Sequence, residues 1–218
     1  MEHLLTKPFI DLALILTKKD FGDGHLLINV ITKEHGVIKA SAFGGQRISK
    51  RYAGGLEYFR TSIMEFTPKR SVGELKINLS AIKSTEKIYS NVSKDINKYI
   101  TASYIQEFSS MLLNQLEPHG KSEHAFFDMI NDTLDKINNA NKDDVILLLD
   151  KAYHLCIFML HDTGFLPELC STKDESAQLK QLEQFHHSVL ENIPKSFTML
   201  SDMINNTCQI KGSSGRSQ

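Results

Sequence analysis

Residues 25–43 read HLLINVITKEHGVIKASAF. HLLINVIT (25–32) is apolar and β-branched. KEHG (33–36) is a turn signal with glycine last. VIKASAF (37–43) alternates apolar with small or polar residues at period two. Two strands joined by a tight connection are the reading that period and those turn residues allow. The pattern continues outward in both directions. Upstream, FIDLALILTKKDF (9–21) is a further strand, set off by the glycine turn GDG (22–24). Downstream, LEYFRTSIMEF (56–66) reads as a fourth strand, TPKRSVG (67–73) as a break carrying proline and glycine, and ELKINLSAIK (74–83) as a fifth strand. No helical crossover is long enough to make these strands parallel, so the expectation is an antiparallel sheet. So small a sheet hides its edges by curling into a barrel. Five-stranded barrels of this size are commonly OB-folds, whose open face and loops bind single-stranded nucleic acid.

From residue 92 the period changes to that of helices. VSKDINKYITASYIQEFSSMLLNQL (92–116) has an apolar stripe at Ile96, Ile100, Tyr104, Phe108, Met111 and Leu112, with Ser93 as the expected cap. SEHAFFDMINDTLDKI (122–137) starts at Ser122. NKDDVILLLDKAYHLCIFMLHDTG (141–164) is apolar on nearly all sides, which predicts the central helix, closed by Gly164. Two more helices flank Pro194, over 175–193 and 196–207. The fold class expected is therefore α+β: a five-stranded OB-fold barrel over residues 1–83, then an all-helical domain over 84–218, with the tail 211–218 disordered.

Composition narrows the function. Of 218 residues, 41% are hydrophobic and 23% charged, enough to bury real cores. The longest apolar runs are too short to span a bilayer, and the N-terminus lacks the basic start of a secretory signal, which predicts a cytoplasmic protein with no membrane contact. The formal net charge is −1, but residues 1–80 hold 12 Lys/Arg against 8 Asp/Glu and the remainder 13 against 18. A basic front and an acidic back suggest two units with different partners.

Catalytic signatures are missing. The chain contains no GxxxxGK[ST], HExxH or GxSxG stretch. Asp143 and Asp144 sit where a helix begins and read as capping charges. Cys156, Cys170 and Cys208 form neither a disulfide framework nor a CxxC pair, and Cys156 reads as a small buried hydrophobe. His186 and His187 suit a surface or packing role. The reading is a binding protein, not an enzyme, with no metal and no cofactor.

Binding chemistry concentrates in FGGQRISKRYAGGLEYF (43–59). Arg47, Lys50 and Arg51 lie between two glycine pairs without an acid, and Tyr52 follows them. Cations neutralise phosphates, aromatic faces stack on unpaired bases, and glycines let backbone amides approach. Lys69 and Arg70 fall in the next loop, so the two loops are expected to flank one groove. Tyr58 and Phe59 point opposite ways, so at least one fills the barrel, and Phe43 at a strand end reads as core. The glycine pairs suggest a loop that moves until a phosphate chain orders it.

Four stretches resemble the RecO family of bacterial recombination mediators. LALILTKKDFGDGHLLINVITKEHGVIKASAFGGQRISKR is similar to the family's opening, and GGLEYF to its G-x-L-Q/E-P-F, with Tyr58 where proline is usual. TASYIQEFSSMLLNQLEPHGKSEHAFFDMINDTLDKI, including Glu107, resembles the first two helices of the second domain. AYHLCIFMLHDTGFLPELC resembles the helix ending in G-[YF]-x-P-x-L-x-x-C. The resemblance covers about residues 9–170. It implies an OB-fold followed by helices, and binding of single- and double-stranded DNA with annealing of complementary strands. It also implies a RecF-pathway role in DNA repair and recombination after DNA damage, close to the nucleoid. The partners it implies are RecR and the acidic C-terminal tail of single-stranded-DNA-binding protein. Lys151 and His154 are the candidate charges for that tail. Some members hold zinc in a four-cysteine knuckle that begins where Cys170 stands; here Lys173 follows three residues later, so no zinc is expected. The alternative is an adaptor of the repair machinery that binds proteins and little DNA.

Overall fold

A computed structural model describes residues 7–47, 49–52, 55–71, 74–115, 122–141, 144–166, 172–190 and 192–214. Five strands, β1 (Phe9–Asp20), β2 (Leu26–Thr32), β3 (Gly36–Ala42), β4 (Arg60–Ser71) and β5 (Glu74–Ile88), are followed by five helices. These are α1 (Ile96–Leu113), α2 (Ser122–Asn139), α3 (Val145–Asp162), α4 (Glu175–Val189) and α5 (Lys195–Ser214). Two compact units result, Met1–Tyr89 with Leu116–Asp128 and Ser90–Gln115 with Met129–Gln218.

The strands close into a barrel in the order β1-β2-β3-β5-β4. Closure corrects the antiparallel expectation. β3 and β5 pair parallel, at Ala40↔Ile77 and Ser41↔Asn78, because β4 intervenes in the chain and reverses its direction between them. Every other pairing is antiparallel. Register shifts at three points of β4/β5 and one of β1/β2 supply the bends that closure needs. Inward residues of all five strands, among them Ile15, Val30, Ala40, Met64, Phe66 and Leu79, make one apolar core. The GDG turn is built from Gly22, Asp23 and Gly24, all at positive φ (63°, 42° and 79°).

Three strand boundaries move. β4 begins at Arg60 rather than residue 56, and Phe59 takes φ 56° just before it. It then runs straight through Pro68, which pairs with Ile77. Proline is tolerated there because β1 ends its pairing with β4 at Phe9↔Phe66, so beyond that point β4 has one neighbour only among the described residues. β5 continues past Lys83 to Ile88.

In the helical unit, α1 starts at Ile96, two residues later than a Ser93 cap would place it. Asp95 is the cap and accepts from the Asn97 and Lys98 amides. Asp144 caps α3 by accepting from the Leu147 amide, and Gly164 at φ 80° ends it. α1 shares the centre with α3: Tyr104, Phe108, Leu148, Cys156 and Met159 are all fully buried. Glu107 holds the start of α5, accepting from the Lys195 amide at 3.0 Å, the Ser196 amide at 2.9 Å and the Ser196 hydroxyl at 2.5 Å. Helix α5 reaches Ser214, into the segment expected to be disordered.

Candidate nucleic-acid interface

Between β3 and β4 the chain folds back onto the barrel. Gly44 takes φ 71°, and a Cβ on Gly45 would stand 2.9 Å from Leu56 Cδ1 and 3.0 Å from the Ala42 carbonyl, so only glycine fits. The Gln46 amide donates to the Gly24 carbonyl at 3.1 Å and the Arg47 amide to the Gly44 carbonyl at 3.1 Å. Residues Lys50–Tyr52 then form one 3-10 turn.

Tyr52 is the anchor of that turn. It is 1% exposed and belongs to the barrel core. Its hydroxyl donates to the Phe43 carbonyl at 2.9 Å, with the Leu79 carbonyl at 3.4 Å. Burial raises its pKa, against a smaller opposing effect of Arg51. The expected role of Tyr52 at the DNA is thereby corrected: neither ring face is open for a base. The converse correction applies to Phe43, which is 45% exposed and meets His25 edge-on at 5.1 Å. Arg51 Nε donates to the Ser80 carbonyl at 2.8 Å, which fastens the turn to β5. The expectation of a loop free until phosphate orders it does not describe residues 44–47 and 50–52, which are tied at both ends. Ile48, Ala53 and Gly54 lie outside the described residues.

Lys69 and Arg70 occupy β4, not a loop, pairing with Lys76 and Leu75. The Arg70 side chain lies outside the described residues. What the pairing brings together is a row that the sequence reading missed. Lys69 stands opposite Lys76 on β5, and Lys39 on β3 precedes by one residue the Ala40↔Ile77 pair, as Lys76 does on β5. Ala40 points inward, so Lys39, Lys76 and Lys69 share the outer face, and all three are exposed. Adjacent strands lie about 4.8 Å apart, so three ammonium stems rise in a line across the sheet. Arg51 is fastened at Ser80, four residues along β5 from Lys76, or roughly 13 Å. Arg47 and Lys50 are exposed in the loop itself.

Residues 8–85 match the family model described as "Recombination protein O N terminal". That stretch, about a third of the chain, is similar to the N-terminal part of the RecO family. It is 30% identical over 140 residues to a DNA repair protein RecO from Maridesulfovibrio salexigens, covering 64% of this chain and 54% of that one. It is 25% identical over 183 residues to the DNA repair protein RecO of Bacillus pumilus, covering 83% and 64%. With that of Exiguobacterium sibiricum it shares 24% over 157 residues, covering 72% and 57%. The matched region thus spans about half to two thirds of these relatives' length.

The second candidate surface lies in the helical unit. Lys151 and His154, named from sequence, both line a cavity of about 440 Å³ between α2 and α3. Met129, Leu155 and Phe158 form its apolar wall, and Lys136 adds a third basic group. Phe158 is 43% exposed. Asp132 pairs with Lys136 at 2.5 Å, and Asp150 lies 3.2 Å from His154 Nε2.

Buried titratable groups elsewhere in the unit are structural. His186 Nε2 meets the Tyr104 hydroxyl at 2.9 Å inside an aromatic cluster with Phe108 and Phe197. Burial, aided by His187, lowers its pKa to about 4. Burial pushes the Cys156 thiol up to about 12, which leaves it an inert packing group. Among the described residues no cluster of three His, Cys, Asp or Glu is placed to hold a metal, and no helix is long and apolar enough to cross a membrane. Cys170 lies outside the described residues.

Proposed function

We propose that this protein is a non-catalytic mediator of DNA repair and recombination whose barrel binds the phosphate chain of DNA. The observation that carries this is the Lys39–Lys76–Lys69 row on three adjacent strands of a barrel matched to the RecO family. Like charges placed opposite each other repel. A polyanion laid across the row relieves that repulsion and releases its own counterions. Arg47 and Lys50 extend the basic surface along the β3–β4 loop, and Arg51 joins them with the part of its guanidinium not given to Ser80. Annealing of complementary strands follows from shielding phosphates on a face where no core aromatic traps the bases. Titrating a labelled single strand across a salt series tests this, and binding that ignores salt would refute it.

A second reading, an adaptor, is favoured by the α2/α3 cavity. An apolar floor with Phe158 beside Lys136, Lys151 and His154 suits a short acidic peptide that also carries an apolar residue. The C-terminal tail of single-stranded-DNA-binding protein is of that kind. We assign this surface to the tail and propose RecR as the further partner in loading recombinase. Both surfaces together describe a mediator. The helical surface without DNA binding describes an adaptor.

A further inference from the structure

We propose that the cleft beside the end of β1 holds one nucleotide of the bound strand and favours bases that carry an exocyclic amino group. The inference rests on the DNA-binding reading above and assigns that surface a base-reading pocket.

The cleft encloses about 370 Å³, the size of a small-ligand site. Lys18, Asp20, Gln46, Arg47, Glu57 and Tyr58 line it, with Gly45 and Gly55 in its wall. Its cations retain donors. Lys18 Nζ gives one hydrogen bond to the Leu56 carbonyl at 2.6 Å and lies 4.3 Å over the Tyr58 ring, and an ammonium has two N–H groups more. Among the described residues the Arg47 side chain makes no hydrogen bond or ion pair.

The carboxylates are the telling feature. A site shaped for phosphate alone has no use for Asp20 and Glu57, which repel it. The Glu57 charge favours the Lys18 ammonium from a distance, but among the described residues neither carboxylate makes a close ion pair with Lys18 or Arg47. Asp20 gives one oxygen to Gln46 Nε2 at 2.7 Å. Glu57 folds back over Gly55, where a Cβ would stand 3.0 Å from its Oε1. Ionised carboxylates only accept. A ligand with an anionic end for Lys18 and Arg47 and an N–H₂ group for Asp20 and Glu57 satisfies both sets, and a nucleotide of cytosine or adenine has that form. Thymine presents O4 where cytosine presents its N4 amino group, so two oxygens would face each other.

Fluorescence anisotropy with labelled dC15 and dT15 tests this on the full chain, comparing wild type with an Asp20→Asn, Glu57→Gln double variant. Both changes are isosteric, and an amide oxygen still accepts from Gln46. The wild type is expected to bind dC15 about tenfold tighter than dT15. The double variant should bind both alike, with dT15 no weaker than in wild type. Equal wild-type affinities, or a preference that survives in the variant, would overturn the pocket while leaving DNA binding in place. Binding of neither oligonucleotide would remove the underlying reading and the pocket with it. Free dCMP separates a strand site from a nucleotide site: displacement of dC15 at equal nucleotide concentration would overturn the assignment to a strand.

Discussion

Replacing Lys69 by glutamate separates binding from stability more sharply than any truncation. Lys69 is exposed and stands directly opposite Lys76 on β5. A carboxylate at position 69 turns a repulsive cross-strand pair into an attractive one. Such pairs contribute roughly 0.2–1 kcal/mol, so the barrel should gain about 0.5 kcal/mol. For a unit of this size that corresponds to a Tm increase of about 2–4 °C. On the DNA side the variant loses one phosphate contact. For a single strand each contact contributes about 0.7 to the slope of log K against log salt, which at about 0.1 M amounts to roughly fivefold in affinity. Repulsion by the new acid adds a comparable factor, so the loss should fall between about 5-fold and 25-fold. The assays are a thermal melt at low ionic strength and anisotropy with a labelled 15-mer in the same buffer. Affinity and stability are thus expected to move in opposite directions. Unchanged affinity would remove Lys69 from the interface. A drop in Tm alongside the lost affinity would show that the row is structural and that the cross-strand reasoning is wrong.

Three other outcomes follow from the geometry. Tyr52→Phe removes the hydroxyl that holds the Phe43 carbonyl and should cost about 1 kcal/mol in urea denaturation, whereas Tyr52→Ala empties part of the core and should cost roughly 3–5 kcal/mol. A Tyr52→Phe variant of wild-type stability whose DNA affinity falls tenfold would restore Tyr52 to the interface. His186 titrates near 4 in the folded chain, below its usual 6.5, so its neutral form stabilises the fold fully above about pH 6.5 and that contribution is lost as pH falls toward 4. Between pH 7.5 and 5 the loss is about 2 kcal/mol, and the stability gap between wild type and His186→Gln should narrow by that amount; parallel pH curves would contradict it. Phe158→Ala should weaken binding of a short acidic peptide by about 1–2 kcal/mol while leaving DNA affinity as it is, measured by calorimetry.

Much of the fold is legible in local sequence. The period-two stretch VIKASAF and the glycine turns around it place β2 and β3 to within a residue, and the apolar period of 145–162 gives α3 with Asp144 and Gly164 at its ends. Proline misleads at position 68, because whether it breaks a strand depends on how many neighbours that strand has there, a property of the closed sheet. The site is less legible for the same reason. Lys39 and Lys76 each read as outward residues, yet nothing local shows that β3 and β5 are neighbours. Tyr52 and Phe43 exchange the roles that residue type suggested. A tyrosine among arginines looks like a stacking platform, but the 3-10 turn rotates it into the barrel and leaves the strand-end phenylalanine outside. Lys151 and His154 were named from the resemblance alone, and what the sequence could not show is the α2/α3 cavity they line.

The most direct test of the central claim is the salt dependence of single-strand binding in wild type and in a Lys39→Ala, Lys69→Ala, Lys76→Ala variant. With about four phosphates neutralised, log K should fall against log salt with a slope of roughly −3 in wild type, and of about −1 in the variant once three contacts are gone. A wild-type slope near zero, or a variant slope equal to that of wild type, would contradict the assignment of this barrel face to DNA.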